Sequence, residues 1–256
     1  MKLTDQRRWQ YSFQPSQKHI ACVLSRDAWV RTAARILPNA KLDYIELGCA
    51  PGLFTAALAK DKPWSISGID YSRDSELFIK TIKLIGKDAT LYKQDLFDFQ
   101  LPHKYDIVAS YGLVEHFRGG SFEEVMHIHD ACLKDSGHIV IAVPNFTGVP
   151  YIFHYIFDRP DLDKHNVDVM QPGVIENWLR DKGYSVIFGD YVGVMRLWGN
   201  SGFVNSKVLS KLVAGLAVAL SKLAQLLSVL GFKLSGRSWS PYLLVIAQKS
   251  ERSLIR

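Results

Sequence analysis

Residues 43–60 read DYIELGCAPGLFTAALAK. Tyr44-Ile45-Glu46-Leu47 is a short strand pattern, Gly48-Cys49-Ala50-Pro51-Gly52 a tight loop, and Leu53 to Lys60 an Ala- and Leu-rich helix pattern. A strand that breaks into small residues and resumes as a helix makes a nucleotide-type site, because small side chains let a ligand approach the backbone and the helix start offers unpaired N–H groups. Glu46 falls at the strand's carboxyl end, where a carboxylate can meet a cation. The loop departs from G-x-G-x-x-G, the pattern that reads a dinucleotide pyrophosphate. An acid two positions before the first Gly disfavours a phosphate and suits a ligand with a positive end.

Outward from this stretch the pattern repeats. Trp64 to Asp70 is a second strand with an acid at its carboxyl end, and Asp70 lies 22 positions after Gly48. A carboxylate there can accept both hydroxyls of a ribose. Arg73 to Ile85 is a helix pattern stopped by Gly86. Ala89 to Lys93 is a third strand, followed by Gln94-Asp95-Leu96-Phe97. Tyr105 to Ser110 is a fourth, leading into Tyr111-Gly112-Leu113-Val114-Glu115-His116-Phe117. Phe122 to Leu133 reads as a helix, and the apolar run Gly137 to Val143 as a buried parallel strand. Pro172 to Lys182 predicts a helix and Tyr184 to Asp190 a sixth strand. Pro241 to Lys249 is the last strand.

Three stretches decorate this alternation. Residues 1–17 carry Trp9, Tyr11 and Phe13, and Lys18 to Leu37 reads as one amphipathic helix, so 1–40 is expected to be a helical lid segment ahead of a domain over 41–250. Residues 146–170 form an irregular, aromatic-rich insertion that leaves the end of strand five and is read as pocket wall, with His154 and His165 in it. Residues 196–238 hold a long helical pattern from Ser206 to Phe232. On a helical wheel Lys207, Ser210, Lys211, Ser221, Lys222, Gln225 and Ser228 share one face and Leu209, Leu212, Leu216, Leu220, Leu223, Leu227 and Leu230 the other. Three roles are open to this helix: a cap on the pocket, a homodimer contact, or peripheral contact with a membrane interface.

Composition narrows the class. The chain has 256 residues, 31 Lys and Arg against 25 Asp and Glu, a net charge of +6, and no basic arm. That size suits one decorated α/β domain, and the mild basic excess does not point to nucleic acid. Cys22, Cys49 and Cys132 are far apart, without C-x-x-C, as in a reduced, cytoplasmic protein. The opening MKLTDQRRWQYSFQ has no signal-peptide core.

The acid, the spacer and the loop of Glu46-Leu47-Gly48-Cys49-Ala50-Pro51-Gly52 resemble those of class I S-adenosylmethionine-dependent methyltransferases, with Ala50 where most members carry a second Gly. The resemblance covers roughly 40–250. It implies an α/β, Rossmann-like sheet of seven mostly parallel strands, helices on both faces, a last antiparallel strand beside strand six, and a helical insertion before that strand. It also implies S-adenosyl-L-methionine as cofactor: Glu46, Gly48 and Gly52 at its methionine end, Asp70 at the ribose, Asp95 and Leu96 at the adenine, with Cys49, Ala50, Tyr71, Ser110 and Tyr111 completing the cofactor-binding set. The D-x-V…EH pattern after strand four is similar to small-molecule O-methyltransferases related to ubiquinone-pathway enzymes. The PNF…HN segment with the helical insert is similar to methyltransferases of bacterial surface-polysaccharide pathways.

A hydroxyl acceptor needs a base. His116, just beyond strand four at the ligand edge, is the candidate, with Glu115 open to two roles, orienting it or lining the cofactor pocket. Catechol-type enzymes hold magnesium with acids after strand four, whereas here that strand ends Ala109-Ser110-Tyr111, so no metal is expected. Ribose methyltransferases of RNA carry an Asp and a Lys where this chain has Tyr111 and the apolar Ile139 to Val143, so RNA is not the expected acceptor. The expected activity is O-methylation of a small molecule, sugar or lipid-linked acceptor, in the cytoplasm or at the inner face of its membrane. The alternatives are an N-methyltransferase or a non-catalytic binding protein of the same fold.

Overall fold

A computed structural model of the chain describes residues 14–100, 102–171, 173–197 and 207–250, with the side chains of 207–210 left aside. The aromatic residues expected in an N-terminal lid (Trp9, Tyr11, Phe13), Ser206, and the charged tail from 251 lie outside the described residues.

Seven strands form one sheet: β1 (Asp43–Leu47), β2 (Ser65–Ile69), β3 (Ala89–Tyr92), β4 (Tyr105–Tyr111), β5 (Leu133–Pro144), β6 (Tyr184–Val192) and β7 (Tyr242–Lys249). The order across the sheet is β3-β2-β1-β4-β5-β7-β6. β1 pairs in parallel with β2 and β4, while β7 runs antiparallel to both its neighbours, β5 and β6. The strand order reverses between β1 and β4, so their carboxyl ends open a crevice there.

The strands are apolar on both faces because helices cover both. Along β5, Ile139, Ile141 and Val143 enter one core and Val140 and Ala142 the other. On the second side lie α1 (Gln17–Arg26), α2 (Ala28–Ile36), α3 (Leu53–Ala59) and α4 (Leu77–Lys83). On the first side lie α5 (Gly120–Cys132) and α8 (Val174–Asp181).

The single helix expected over 18–37 is two. Asp27 breaks it with φ −94° and ψ 88°, caps α1 by donating its N–H to the Val23 carbonyl, and pairs with Arg196 at 2.9 Å. Trp29, Val30 and Ala33 are fully buried, so α2 belongs to the sheet's helical layer.

The insertion expected to be irregular is mostly helical: α6 (Val149–Phe157), α7 (Arg159–Leu162) and a 3-10 turn at Val167–Met170. The long helix α9 spans Lys207–Val229. It packs on α6 through a third, small core of Phe153, Leu197 and Ala217, with Val149, Phe157, Val213 and Leu220 around it. The stripe it buries is Ala217, Ser221 and Ala224. Small side chains let the helix approach closely, and Ser221 Oγ accepts the Leu197 N–H at 2.9 Å while donating to the Ala217 carbonyl at 2.7 Å. Ser221 is thus buried although the wheel groups it with the lysines, and much of the leucine face looks outward.

Candidate active site

A cavity of about 460 Å³ opens at the carboxyl ends of the central strands, a volume typical of ligand pockets. Its wall takes Glu46, Gly48, Ala50 and Gly52 from β1 and its loop, Asp70 and Tyr71 from the end of β2, Asp95 and Leu96 from the end of β3, and Tyr111 and His116 from the end of β4 and beyond. One acid per strand end follows from the parallel register, which brings Glu46 level with Gly68 and Leu47 level with Ile69.

Backbone hydrogen bonds hold the loop to β2. Gly48 and Cys49 donate their N–H groups to the Ile69 carbonyl at 2.9 and 3.1 Å. Asp70 ties two turns together, accepting the Ala50 N–H on Oδ2 at 3.0 Å and the Ser72 N–H on Oδ1 at 2.7 Å. Asp95 caps the 3-10 turn Leu96–Asp98 by accepting the Phe97 N–H at 3.1 Å. Gly52 is required where it stands: its φ is +83° and a Cβ would come within 2.8 Å of the Phe78 ring.

Two residues expected at the cofactor stand off the cavity wall. Cys49 is fully buried over β2, where a Cβ on Gly68 would lie 2.6 Å from its Sγ. The loop turns the thiol away from the ligand side. Ser110 precedes Tyr111, so strand alternation aims it at the opposite layer. Its Oγ meets His129 Nε2 at 2.9 Å, and the His129 Nδ1 donates to the Val125 carbonyl at 2.7 Å.

The wall is electrically unusual. Burial raises the Glu46 carboxyl well above the usual range despite its hydrogen bond from Thr55, and the nearby charge of Asp70 pushes the same way. Thr55 also meets the Tyr44 hydroxyl at 2.8 Å, which meets that of Tyr111 at 3.0 Å. A buried carboxyl of this kind is stabilised as an anion by an arriving cation. The buried Trp29 Nε1, Ser72 Oγ and Glu115 Oε2, all from residues of this wall, have no hydrogen-bond partner among the described residues. A ligand with its own polar groups would satisfy them.

Opposite the loop, the 3-10 turn Val114–His116 sets Glu115 and His116 in the wall, and His165 joins them from the insertion. Asn166 fastens the insertion to the turn: its N–H donates to the Glu115 carbonyl at 2.6 Å and its Nδ2 to the Phe117 carbonyl at 2.9 Å. Burial, with His165 adding to it, lowers the His116 pKa to about 3, and burial raises that of Glu115 to about 8.

Trp29, Phe54, Phe117 and Tyr242 also line the cavity without having been singled out by sequence. Trp29 stacks obliquely on Phe54 and Tyr111, with centroids 5.0 and 4.7 Å away. These residues come from α2, α3, β7 and the turn after β4. No local spacing links them, and only the amphipathic pattern around Trp29 hinted at a cover.

Three strand ends bearing acids around one cavity, and an antiparallel β7 set between β5 and β6, define an α/β fold of the class I methyltransferase type. A family model described as a methyltransferase domain matches residues 17–188, and the chain belongs to that family. It is a methyltransferase, and its methyl donor is S-adenosyl-L-methionine. No curated protein matches the chain.

Among solved structures it is similar to an S-adenosylmethionine-dependent methyltransferase from Archaeoglobus fulgidus, at 22% identity and TM-score 0.56, over 88% of this chain and 94% of that one. An O-methyltransferase family protein from Burkholderia thailandensis matches at 15% identity and TM-score 0.58 over 91% of this chain, which spans 59% of that protein. The N-methyltransferase NodS from Bradyrhizobium japonicum, in complex with S-adenosyl-L-homocysteine, matches at 12% identity and TM-score 0.51, over 98% and 95% of the two chains. At these identities the likeness is one of fold.

Proposed function

We propose that this methyltransferase transfers a methyl group to a hydroxyl of a lipid-linked acceptor, a lipid-linked saccharide being the type that fits, at the cytoplasmic face of a membrane. The observation that carries this reading is the outer face of α6 and α9. Ile152, Tyr155 and Ile156 on α6 and Leu212, Leu223 and Leu226 on α9 are all about half exposed or more. Scattered apolar residues are ordinary on a surface, but two adjoining helices that both turn them outward mark an interaction site. From Tyr191 to Ser250 the chain has seven Lys or Arg and no Asp or Glu, which suits an anionic lipid surface.

The segment Lys211–Val229 is long and apolar enough to cross a membrane, with a mean hydropathy of 1.8. Its Ala217-Ser221-Ala224 stripe is packed on the protein, which favours lying in the interface over spanning. Phe146 links this layer to the cavity, with ring centroids 4.2 Å from His154 on α6 and 4.7 Å from His165 on the cavity wall. One layer of aromatic rings therefore separates α6 from the cavity.

Within the cavity Glu46, Gly48, Ala50 and Gly52 would hold the methionine end of the donor, Asp70 with Tyr71 the ribose, and Asp95 with Leu96 the adenine. Tyr111 closes the wall between the two ends. Bound S-adenosyl-L-methionine supplies an activated methyl group, which leaves the chain to bind, orient and deprotonate the acceptor. His116 would take part in removing the acceptor's proton. A lone imidazole so weakly basic draws a hydroxyl proton poorly, so activation of the hydroxyl falls to His116 together with Glu115 and His165.

The test uses tritium-labelled S-adenosyl-L-methionine with a bacterial lipid-linked saccharide extract and, separately, with soluble sugars. Label in the organic phase that is released as a methylated sugar supports the reading. Label only on soluble sugars removes the lipid-linked acceptor, label on nitrogen makes the chain an N-methyltransferase, and bound donor with no transfer makes it a non-catalytic binder. Sedimentation with phosphatidylglycerol vesicles tests the surface separately. A protein that stays in solution as a dimer would mean a second copy covers α9.

A further inference from the structure

On the acceptor side of the cavity, Glu115, His116 and His165 place one potential ligand atom each within 4.8 Å of one another, and all three are buried. We propose that these residues form a binding site for a first-row transition-metal dication of the zinc type. The sequence carries no acid at the end of β4, where catechol-type enzymes place one. The set proposed here begins four positions later and is completed by the insertion.

The donor set is two imidazoles and one carboxylate, which suits zinc, iron or nickel over magnesium or calcium. The imidazoles are oriented as metal ligands are. His116 Nδ1 lies 3.1 Å from the Lys164 carbonyl, and His165 Nδ1 lies 2.7 Å from the Asp161 carbonyl. A carbonyl can only accept, so in both rings the proton sits on Nδ1 and the lone pair on Nε2. Such backing of a ligating histidine fixes its tautomer and its direction. The two rings lie 4.7 Å apart between centroids, tilted by 45°.

The carboxylate points the same way. Glu115 Oε1 is 3.8 Å from His116 Nε2, and its buried Oε2 has no hydrogen-bond partner among the described residues. A tetrahedral ion about 2.1 Å from each ligand separates ligand atoms by roughly 3.4 Å, so this pair needs to close by only about half an ångström. Three protein ligands leave a coordination position open, and the residues line the same cavity as Glu46 and Asp70. The open position is thus available to an acceptor oxygen.

The chemical role rests on the hydroxyl-acceptor reading. A cation lowers the pKa of a bound hydroxyl. The O–H bond breaks with its electron pair left on oxygen, and the proton passes to water. That oxygen forms the new O–C bond while the C–S pair leaves with sulfur. The balance needs no oxidant and no further reactant.

The experiment does not depend on turnover. Untagged protein is stripped with a chelator and titrated with Zn(II) by calorimetry, and the Co(II)-substituted form is examined by visible absorption. One Zn(II) per chain and tetrahedral Co(II) bands are expected. Glu115→Gln and His165→Gln should each weaken Zn(II) binding at least about 100-fold, the upper end of what a supporting residue costs. Asp158→Asn, in the neighbouring group His154, Asp158 and Asp161, should leave it within threefold.

Circular dichroism and the S-adenosylhomocysteine melting shift report whether each variant folds. Absent Zn(II) binding in wild-type protein that still binds S-adenosylhomocysteine overturns the site. So does metal binding that Asp158→Asn abolishes and Glu115→Gln does not. Zn(II) binding with transfer only to nitrogen would keep the site and remove the hydroxyl reading instead.

Discussion

The cofactor half of the molecule and the α6–α9 layer are built on opposite plans. In the first, the backbone of the loop is stitched to β2, the side chains of Asp70, Asp95 and Thr55 are held in hydrogen bonds, and apolar side chains such as Phe78 are fully buried. In the second, α9 lays its small-residue stripe against a few large residues such as Phe153 and Leu197, and both helices show many of their large apolar residues to the outside. The first plan fixes a geometry, which a cofactor needs. The second leaves a surface whose energy is lowered only when something covers it.

The comparison breaks first at Phe78. Phe78→Ala should cost about 3–5 kcal/mol of stability, read as a loss of roughly 10 °C or more in Tm. The corresponding truncation Leu223→Ala in α9, where Leu223 is 49% exposed, should cost less than about 1 kcal/mol. Equal losses would mean that the two halves are packed alike.

Asp70 comes next. Asp70→Ala removes a carboxylate that serves both the loop and the expected ribose, and hydrogen bonds to a charged group contribute about 1.5–3 kcal/mol. S-adenosylhomocysteine affinity by calorimetry should fall by about 10- to 100-fold. Wild-type affinity would show that the ribose sits elsewhere.

A smaller effect comes from His129. Burial lowers its pKa to about 4, below the 6.5 of an unfolded chain. The folded state therefore binds its proton less readily, so its contribution to stability is full above pH 6.5 and is lost as pH falls towards about 4. At pH 5 the loss is on the order of 1–2 kcal/mol. Urea midpoints at pH 7 and pH 5 should separate less in His129→Gln than in the wild type. An unchanged separation would place the acid sensitivity in other groups.

The smallest expected change lies in the outer layer. Replacing Leu216, Leu223 and Leu226 together by Glu should shift unfolding free energy by no more than about 0.5 kcal/mol per site. Binding to phosphatidylglycerol vesicles should drop more than tenfold. Unfolding of this variant would show that the leucine face holds the protein together.

These outcomes parallel what the sequence made legible. Glu46, Asp70 and Asp95 could be found because a parallel sheet places strand ends at one edge, and the spacing from Gly48 to Asp70 is a strand–helix–strand unit. The misplacement of Cys49 and Ser110 has the same root: spacing locates a backbone, while the direction of a side chain depends on which layer each position meets. Trp29 and Tyr242 reach the cavity from elements far away in sequence, so no window contains the signal. The orientation of α9 was illegible for an energetic reason. A leucine stripe and an alanine–serine stripe both pack, and the choice between them was made by the close approach to α6 and by the Ser221 hydrogen bond to Leu197.

The position of β7 has a consequence for how the chain is made. This last strand is inserted between β5 and β6, and among the described residues β6 has no other neighbour in the sheet. On the ribosome, therefore, every other strand is finished while β5 still has one open edge and β6 has two. Long-range pairing of this kind is slow, and open edges invite pairing with other chains. A nascent chain that has reached Val229 but not Tyr242 carries α9, its exposed leucines and two unclosed strands at once. Until Tyr242 to Lys249 have paired, unclosed strand edges and outward leucines therefore coexist in one chain.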